Sequence, residues 1–381
     1  MSLPPHFSFV VHSHLRWDFV WQRPQQIFSR LARDHHVLFV EEALHEPGEP
    51  RLRIIEAQPG VVRAIPVTPA AQEADEHCEV LVPLLRHAIQ THPLLVGRFD
   101  TVVQWFYSPM CAPGTAARLG ERALVYDCMD ELANFRFAPP DIAQRERFLL
   151  DRAGVVFTGG WQLYEAKSRL HDNVHFFGCG VDAAHFGKAR EAGVPRPPAV
   201  ASLPGPVLGY FGVIDERLDY GLIDALAAAF PQGSIVMAGP VVKVERSALP
   251  ERPNIHWLGQ QAYDALPALV KGFDVCLMPF ALNEATRYIN PTKTLEYMAA
   301  GKPIVSTPVA DVVRNFGDIV HIANGPAEFI DRVQAALAQP DPDRIAAGHA
   351  RTAESTWDAI VAAMRGHVLA AVAAPSNVAV A

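Results

Sequence analysis

Residues 288–307 read Tyr-Ile-Asn-Pro-Thr-Lys-Thr-Leu-Glu-Tyr-Met-Ala-Ala-Gly-Lys-Pro-Ile-Val-Ser-Thr: a polar loop, a helix, a glycine stop and a buried strand. Asn290 suits a helix cap, and Pro291 suits the first helical position, where a missing N–H costs nothing. Gly301 ends the helix, and 303–306 restarts the chain as a strand. Such a start leaves the backbone N–H groups of Thr292 and Lys293 open, with the Lys293 ammonium beside them. Open N–H groups, the positive end of the helix dipole and a cation together suit a phosphate. Glu296 follows Lys293 by three residues and so lies on the same side of the helix, about one turn on. A carboxylate there can accept from two vicinal hydroxyls while phosphates sit at the helix tip, the grip that a nucleotide's ribose and diphosphate require. The local sequence fits equally well a capped surface helix with an ordinary Lys–Glu pair.

Working outward, short apolar runs alternate with helical stretches. Strands are expected at 7–11, 37–41, 101–107, 123–127 and 155–158, and again at 207–212, 234–239, 255–258, 274–279, 303–307 and 318–322. Helices are expected at 24–32, 141–152, 161–170, 219–230 and 263–271. Apolar runs buried on both faces and alternating with helices indicate parallel sheets. The series occurs twice, which predicts two doubly wound α/β domains facing a central cleft. The N-terminal domain is expected over 1–187 and a linker over 188–206, where prolines 195, 197, 198, 204 and 206 fall. A second domain is expected over 207–343, and a helix packing back, with a tail, over 344–381.

At 381 residues the chain is too long for one ordinary core. Half of it is hydrophobic and 19% charged, a globular composition. A net charge of −8 argues against a nucleic-acid partner, which would need a basic face. The five cysteines are scattered without a C-x-x-C pair, consistent with reduced thiols in the cytoplasm. Pro4, Pro5 and His6 do not resemble a signal peptide. The Ala/Val-rich end is interrupted by Arg365, His367 and Pro375, so no membrane-spanning helix is expected.

In doubly wound domains chemistry gathers in the loops after the strands. The loop His12-Ser13-His14-Leu15-Arg16-Trp17-Asp18 offers His14, Arg16, Trp17 and Asp18 to a sugar or other polar acceptor; a capping loop with a packed tryptophan is the structural alternative. His12-x-His14 has no companion ligands at a metal-binding spacing, so no metal is expected. Asp127, Asp130 and Glu131 are candidates for acid–base or positioning work, or else a solvated cluster. Gly209-x-x-Gly212 lacks the third glycine of a dinucleotide fingerprint. Neither a G-x-x-x-x-G-K-[ST] loop nor a G-x-S-x-G elbow occurs.

With these motifs in place, the second half resembles the donor domain of a GT-B glycosyltransferase, close to the family-4 type. Phe177-Gly178-Cys179-Gly180-Val181-Asp182-x-x-x-Phe186 is similar to the family's NGVDxxxF segment. The runs Asn254–Gly259, Leu266–Leu269 and Phe273–Pro279 follow NVxFLG…LPxLxxxADVxLxPS, and Leu295–Ser306 follows LEAMAxGxPVVAS. The first loop, with Gln22-Arg23-Pro24-Gln25, resembles a subgroup of bacterial cell-surface polysaccharide enzymes. The resemblance implies that Glu296 holds the ribose, that Thr292 and Lys293 meet the diphosphate, that Leu258 lies near the base, and that Gly212, Tyr288 and Asn290 border the donor. The chain departs from the family at Tyr288, where the E-x₇-E pattern has an acid. It departs again after Gly212, where the expected phosphate-binding cations are missing and Arg217 is the nearest.

By the same resemblance the chain is expected to be a hexosyltransferase of the EC 2.4 class. It would move a sugar from a UDP- or GDP-sugar to a saccharide or lipid-linked acceptor in polysaccharide or glycoconjugate biosynthesis, without a metal or other cofactor. Asp130 is the first candidate for a base, if the reaction inverts, and Asp18 the second. The expected location is the cytoplasm, with the inner membrane periphery as the place of a lipid-linked acceptor, although no polybasic or amphipathic anchor is visible. The alternatives are a nucleotide-sugar epimerase of the same architecture, an NAD-type oxidoreductase with two Rossmann-like domains, and a sugar-binding homologue without activity.

Overall fold

A computed structural model describes residues 7–374; Pro4, Pro5, His6 and Pro375 lie outside them. The chain divides into two compact units. Of the described residues, the first holds 7–133, Phe137–Phe177 and 358–374; the second holds Asn134–Arg136 and Gly178–Trp357.

The first unit is built on a nine-stranded sheet. Its strands are β1 (Ser8–His12), β2 (Val37–Val40), β3 (Leu44–His45), β4 (Arg51–Gln58), β5 (Val61–Thr68), β6 (Val102–Phe106), β7 (Glu121–Cys128), β8 (Val155–Thr158) and β9 (Val174–Phe176). The order β5-β2-β1-β6-β7-β8-β9 is parallel throughout. Beyond β2, β3 continues along β5 by pairing Leu44 with Val67, and β4 is the one antiparallel strand. Strands β1, β2 and β6 are buried at every position, as their unbroken apolar runs require. Phe9, Phe28 and Trp105 pack edge to face in the core at ring-centre distances of 5.2–5.8 Å.

The second unit carries β10 (Val207–Phe211), β11 (Ser234–Ala238), β12 (Ile255–Gly259), β13 (Val275–Met278), β14 (Ile304–Ser306) and β15 (His321–Ile322). They form one parallel sheet in the order β12-β11-β10-β13-β14-β15. Counted by unit, and leaving β3 and β4 out of the first, both sheets contain the doubly wound order 3-2-1-4-5-6, which opens a crevice where the connections reverse. In the second unit that point lies beyond the ends of β10 and β13.

Three expectations change. The boundary falls between Phe177 and Gly178, ahead of residue 187. Residues 188–206 are not a free linker: Ala189 and Val200 are buried in the second unit's core, so its prolines shape packed turns and a short helix, Pro198–Ala201. The closing segment splits. The helix Pro342–Glu354 stays with the second unit, whereas residues 358–374 belong to the first, where Asp358 pairs with Arg30 and Arg33 and Arg365 with Asp34. The hairpin of β4 and β5 and the helix Ala74–Thr91 are additional to the expected elements.

Candidate functional site

In the second unit the helix runs over Lys293–Ala299, two residues later than its sequence suggests. Thr292 rather than Asn290 precedes it, already helical at φ −54° and ψ −32° and without a side-chain cap. The turn through Pro291 is tight: Thr294 N–H donates to the Pro291 carbonyl and Leu295 N–H to that of Thr292. Asn290 instead offers its carbonyl to the Cys179 thiol at 3.1 Å. Among the described residues, no acceptor stands against the N–H groups of Thr292 and Lys293. The glycine stop holds as expected. Gly301 has φ +70°, its N–H reaches Met298 O and that of Lys302 reaches Tyr297 O, the paired bonds of a Schellman end.

The helix is fixed to the end of β10 by two contacts. Phe211 N–H donates to the Tyr297 hydroxyl at 3.1 Å. The Lys293 side chain crosses Gly212, which has φ +142°; a Cβ there would stand 2.0 Å from Lys Cε and 2.5 Å from Nζ. The ammonium ends 5.4 Å from the centre of the Tyr210 ring. Among the described residues no carboxylate lies within ion-pair distance of it, so the ordinary Lys–Glu pair is not formed. Burial lowers the Lys293 pKa, opposed by the charge of Glu296.

Glu296 is 8% exposed, and its carboxylate has no hydrogen-bond partner among the described residues. Burial pushes its pKa up to about 7, with Lys293 pulling the other way. Arg217, the other cation expected here, is gripped by buried Asp215 through Nε and Nη2, at 2.7–3.1 Å. Its charge is oriented but partly neutralised. Leu258 is half-buried near the end of β12, where Gly259 turns the chain at φ +68°. Tyr288 is half-buried, with the Arg287 guanidinium 5.4 Å from its ring centre.

The loop candidates of the first unit separate. His14 lines a cavity of about 500 Å³ at the carboxyl ends of β1, β2 and β5. Trp17 does not face it; it is 5% exposed, packed edge-on against Phe39 and Trp21. Arg16 lies 3.6 Å from buried Glu41, and Asp18 is paired with Arg63, which also binds Glu41. Asp127 is fully buried and clasped by Arg23, whose Nη1 donates to Phe177 O at 2.7 Å, so it serves the fold. Glu131 pairs with Lys167 at 2.8 Å. Asp130 is half-buried, and its carbonyl takes the Cys128 thiol. No grouping of three His, Cys, Asp or Glu side chains suited to a metal ion occurs among the described residues.

His12 gains a place that its sequence does not announce. Its Nε2 meets Gln104 Oε1 at 2.7 Å and its ring stacks on Phe106 at 4.6 Å, on the same cavity wall.

The family model for glycosyl transferases group 1 matches residues 205–339. A Bacillus subtilis (strain 168) protein assigned to teichuronic acid biosynthesis as the glycosyltransferase TuaH is 25% identical over 235 residues. The match covers 57% of this chain and 59% of that protein, so the chain spans under two thirds of this relative's length. Among solved structures, the sucrose-phosphate synthase of Thermosynechococcus elongatus superimposes with a TM-score of 0.66 at 16% identity, over 95% of this chain and 98% of its own. Anabaena Alr3699/HepE in complex with UDP gives 0.66 at 14%, over 96% and 100%. The UDP-forming α,α-trehalose-phosphate synthase of Burkholderia xenovorans, in complex with glucose-6-phosphate, gives 0.65 at 13%, over 96% and 100%. These matches support neither the epimerase nor the oxidoreductase. The chain has the GT-B glycosyltransferase fold, and its residues 205–339 are similar to the glycosyl transferases group 1.

Proposed function

We propose that the chain moves a hexosyl group from a nucleoside diphosphate sugar to an acceptor hydroxyl in polysaccharide or glycoconjugate biosynthesis. One observation carries this reading: a buried carboxylate and, one helical turn away beside Gly212, a half-buried ammonium, neither in an ion pair among the described residues. A ribose offers two donors to Glu296, and a diphosphate offers its charge to Lys293. Leu258 would border the base, and Tyr288 and Asn290 the sugar. The UDP of the Anabaena neighbour and the UDP-forming chemistry of the Burkholderia one favour UDP over GDP.

Catalysis in this reading is positioning, together with stabilisation of the departing diphosphate by Lys293 and Arg217, and it calls for no metal. The acceptor is a saccharide, free or lipid-linked, as the teichuronic acid relative suggests. The reaction is set in the cytoplasm, with the inner membrane face as the meeting point for a lipid-linked acceptor; no helix among the described residues is long and apolar enough to cross a membrane. Phosphorus NMR of the protein with UDP-glucose, UDP-galactose or GDP-mannose tests the reading. Release of nucleoside diphosphate, faster with an oligosaccharide acceptor present, is expected. Sugar interconversion without release would contradict it.

A further inference from the structure

Two of the chain's scattered cysteines meet in the first unit. Cys78 lies on the helix Ala74–Thr91, and Cys111, 33 residues on, stands just before the short helix Ala112–Thr115. Gly114 lets the two helices approach: a Cβ there would stand 2.4 Å from Cys78 Cβ and 2.8 Å from its Sγ. The Cys78 sulfur consequently lies 3.7 Å from the Cys111 carbonyl oxygen. That oxygen already accepts from the Thr115 N–H at 3.0 Å and from its hydroxyl at 2.7 Å. This leaves the Cys111 sulfur, which lies within hydrogen-bonding reach, as the acceptor for the Cys78 proton.

The two thiols are not equivalent. Cys78 is fully buried, whereas Cys111 is half-buried and forms part of the wall of the cavity of about 500 Å³. The hydrogen bond from Cys78 lowers the Cys111 pKa; burial opposes it, and Arg145 adds to the lowering. The same bond raises the pKa of Cys78, as does burial. Arg145 is held beside Cys111 by its own partners, the Met110 carbonyl at 3.1 Å and the carboxylates of Asp75 and Asp141. One thiol thus keeps its proton while its neighbour, on the cavity wall, gives one up more readily.

We propose that Cys78 and Cys111 form a peroxide-sensitive dithiol that closes to a reversible disulfide in the cavity wall. The Cys111 thiolate attacks one oxygen of hydrogen peroxide, the O–O bond breaks, and the departing hydroxide takes up the proton that Cys111 released. The Cys78 sulfur then attacks the sulfenic acid on Cys111; the S–O bond breaks, and the oxygen leaves as a second water with the Cys78 proton. Two thiols are oxidised and one peroxide is reduced. The new bond pins the helix that carries His77 and Leu81 to the turn that carries Met110, all three of which line the cavity.

Peptide mapping without reductant, on the full chain after hydrogen peroxide and alkylation, tests this. A crosslinked peptide pair holding Cys78 and Cys111 is expected, and dithiothreitol should separate it again. Before peroxide, iodoacetamide should label Cys111 at least about tenfold faster than buried Cys128 and Cys276, whose pKa burial raises. In Cys78→Ser, peroxide should leave Cys111 as a sulfenic acid that dimedone captures, whereas in wild type the disulfide forestalls capture. No such crosslink in wild type, dimedone capture at Cys111 as strong in wild type as in Cys78→Ser, or labelling of Cys111 no faster than of Cys128 and Cys276 would overturn the proposal. The wild-type mapping and labelling decide it even where the variant does not fold.

Discussion

The side chain of Lys293 lies across Gly212 with so little clearance that a Cβ on the glycine would stand 2.0 Å from Cε. Gly212 also has φ +142°, a conformation that side chains with a Cβ rarely adopt. The position of the ammonium therefore depends on a missing side chain at the end of β10.

Gly212→Ala is expected to displace Lys293, to weaken nucleoside diphosphate binding at least roughly tenfold, and to strain the backbone by about 1–3 kcal/mol. Gly259→Ala is the control. It has a left-handed φ of +68° but nothing within 4 Å of the added carbon, so it should cost about 1 kcal/mol and leave the Lys293 contact intact. Calorimetric titration and melting curves on both proteins check the pair.

Glu296 makes stability depend on pH with a definite sign. Its pKa is raised from 4.5 to about 7 in the folded chain, so between those values the folded state holds a proton that the unfolded state has lost. Stability from this group falls as pH rises from 4.5 to 7 and stays lower above that, by roughly 3 kcal/mol at most. Glu296→Gln should raise the melting temperature at pH 8, and the gain should vanish by pH 4.5. A gain independent of pH would contradict this environment for the carboxylate.

The two acids considered for a base differ in what the fold asks of them. Asp18 is tied to Arg63, itself held by Glu41, so it completes a charge network of the first unit. Asp130→Asn is expected to lower turnover by about a hundredfold or more, the usual scale for losing a general base, with nucleoside diphosphate affinity unchanged. Asp18→Asn should leave turnover within a few-fold of wild type. Steady-state rates with a nucleotide sugar and acceptor distinguish them; the opposite ranking would move the base to Asp18.

Much of the fold, and the placing of Lys293 and Glu296 one turn apart, was legible because the signals are local. Strands buried on both faces must be apolar runs, and Lys293 and Glu296 lie on one helix, with Gly301 as its stop, at readable spacings. The hairpin of β4 and β5 could have been found from the Pro59-Gly60 turn and the alternation before it, and the helix Ala74–Thr91 from Cys78, Leu81, Val82 and Leu85. Their omission hid one wall of the first unit's cavity. Roles set by distant partners were not legible. Asp127 and Asp18 read alike as loop acids, yet one is buried by Arg23 and the other tied to Arg63. His12 depends on Gln104, 92 residues away. The unit boundary is likewise set by contacts: Ala189 and Val200 lie in a proline-rich stretch and are buried all the same.

Calorimetric titration with UDP and GDP decides whether Lys293 and Glu296 hold the nucleoside diphosphate of a sugar donor. Wild type should bind at least one of them. Lys293→Ala and Glu296→Ala should each weaken that binding by roughly ten- to a hundredfold, the ~1.5–3 kcal/mol of a hydrogen bond to a charged group. Unchanged affinity in both folded variants would contradict the assignment of these two residues.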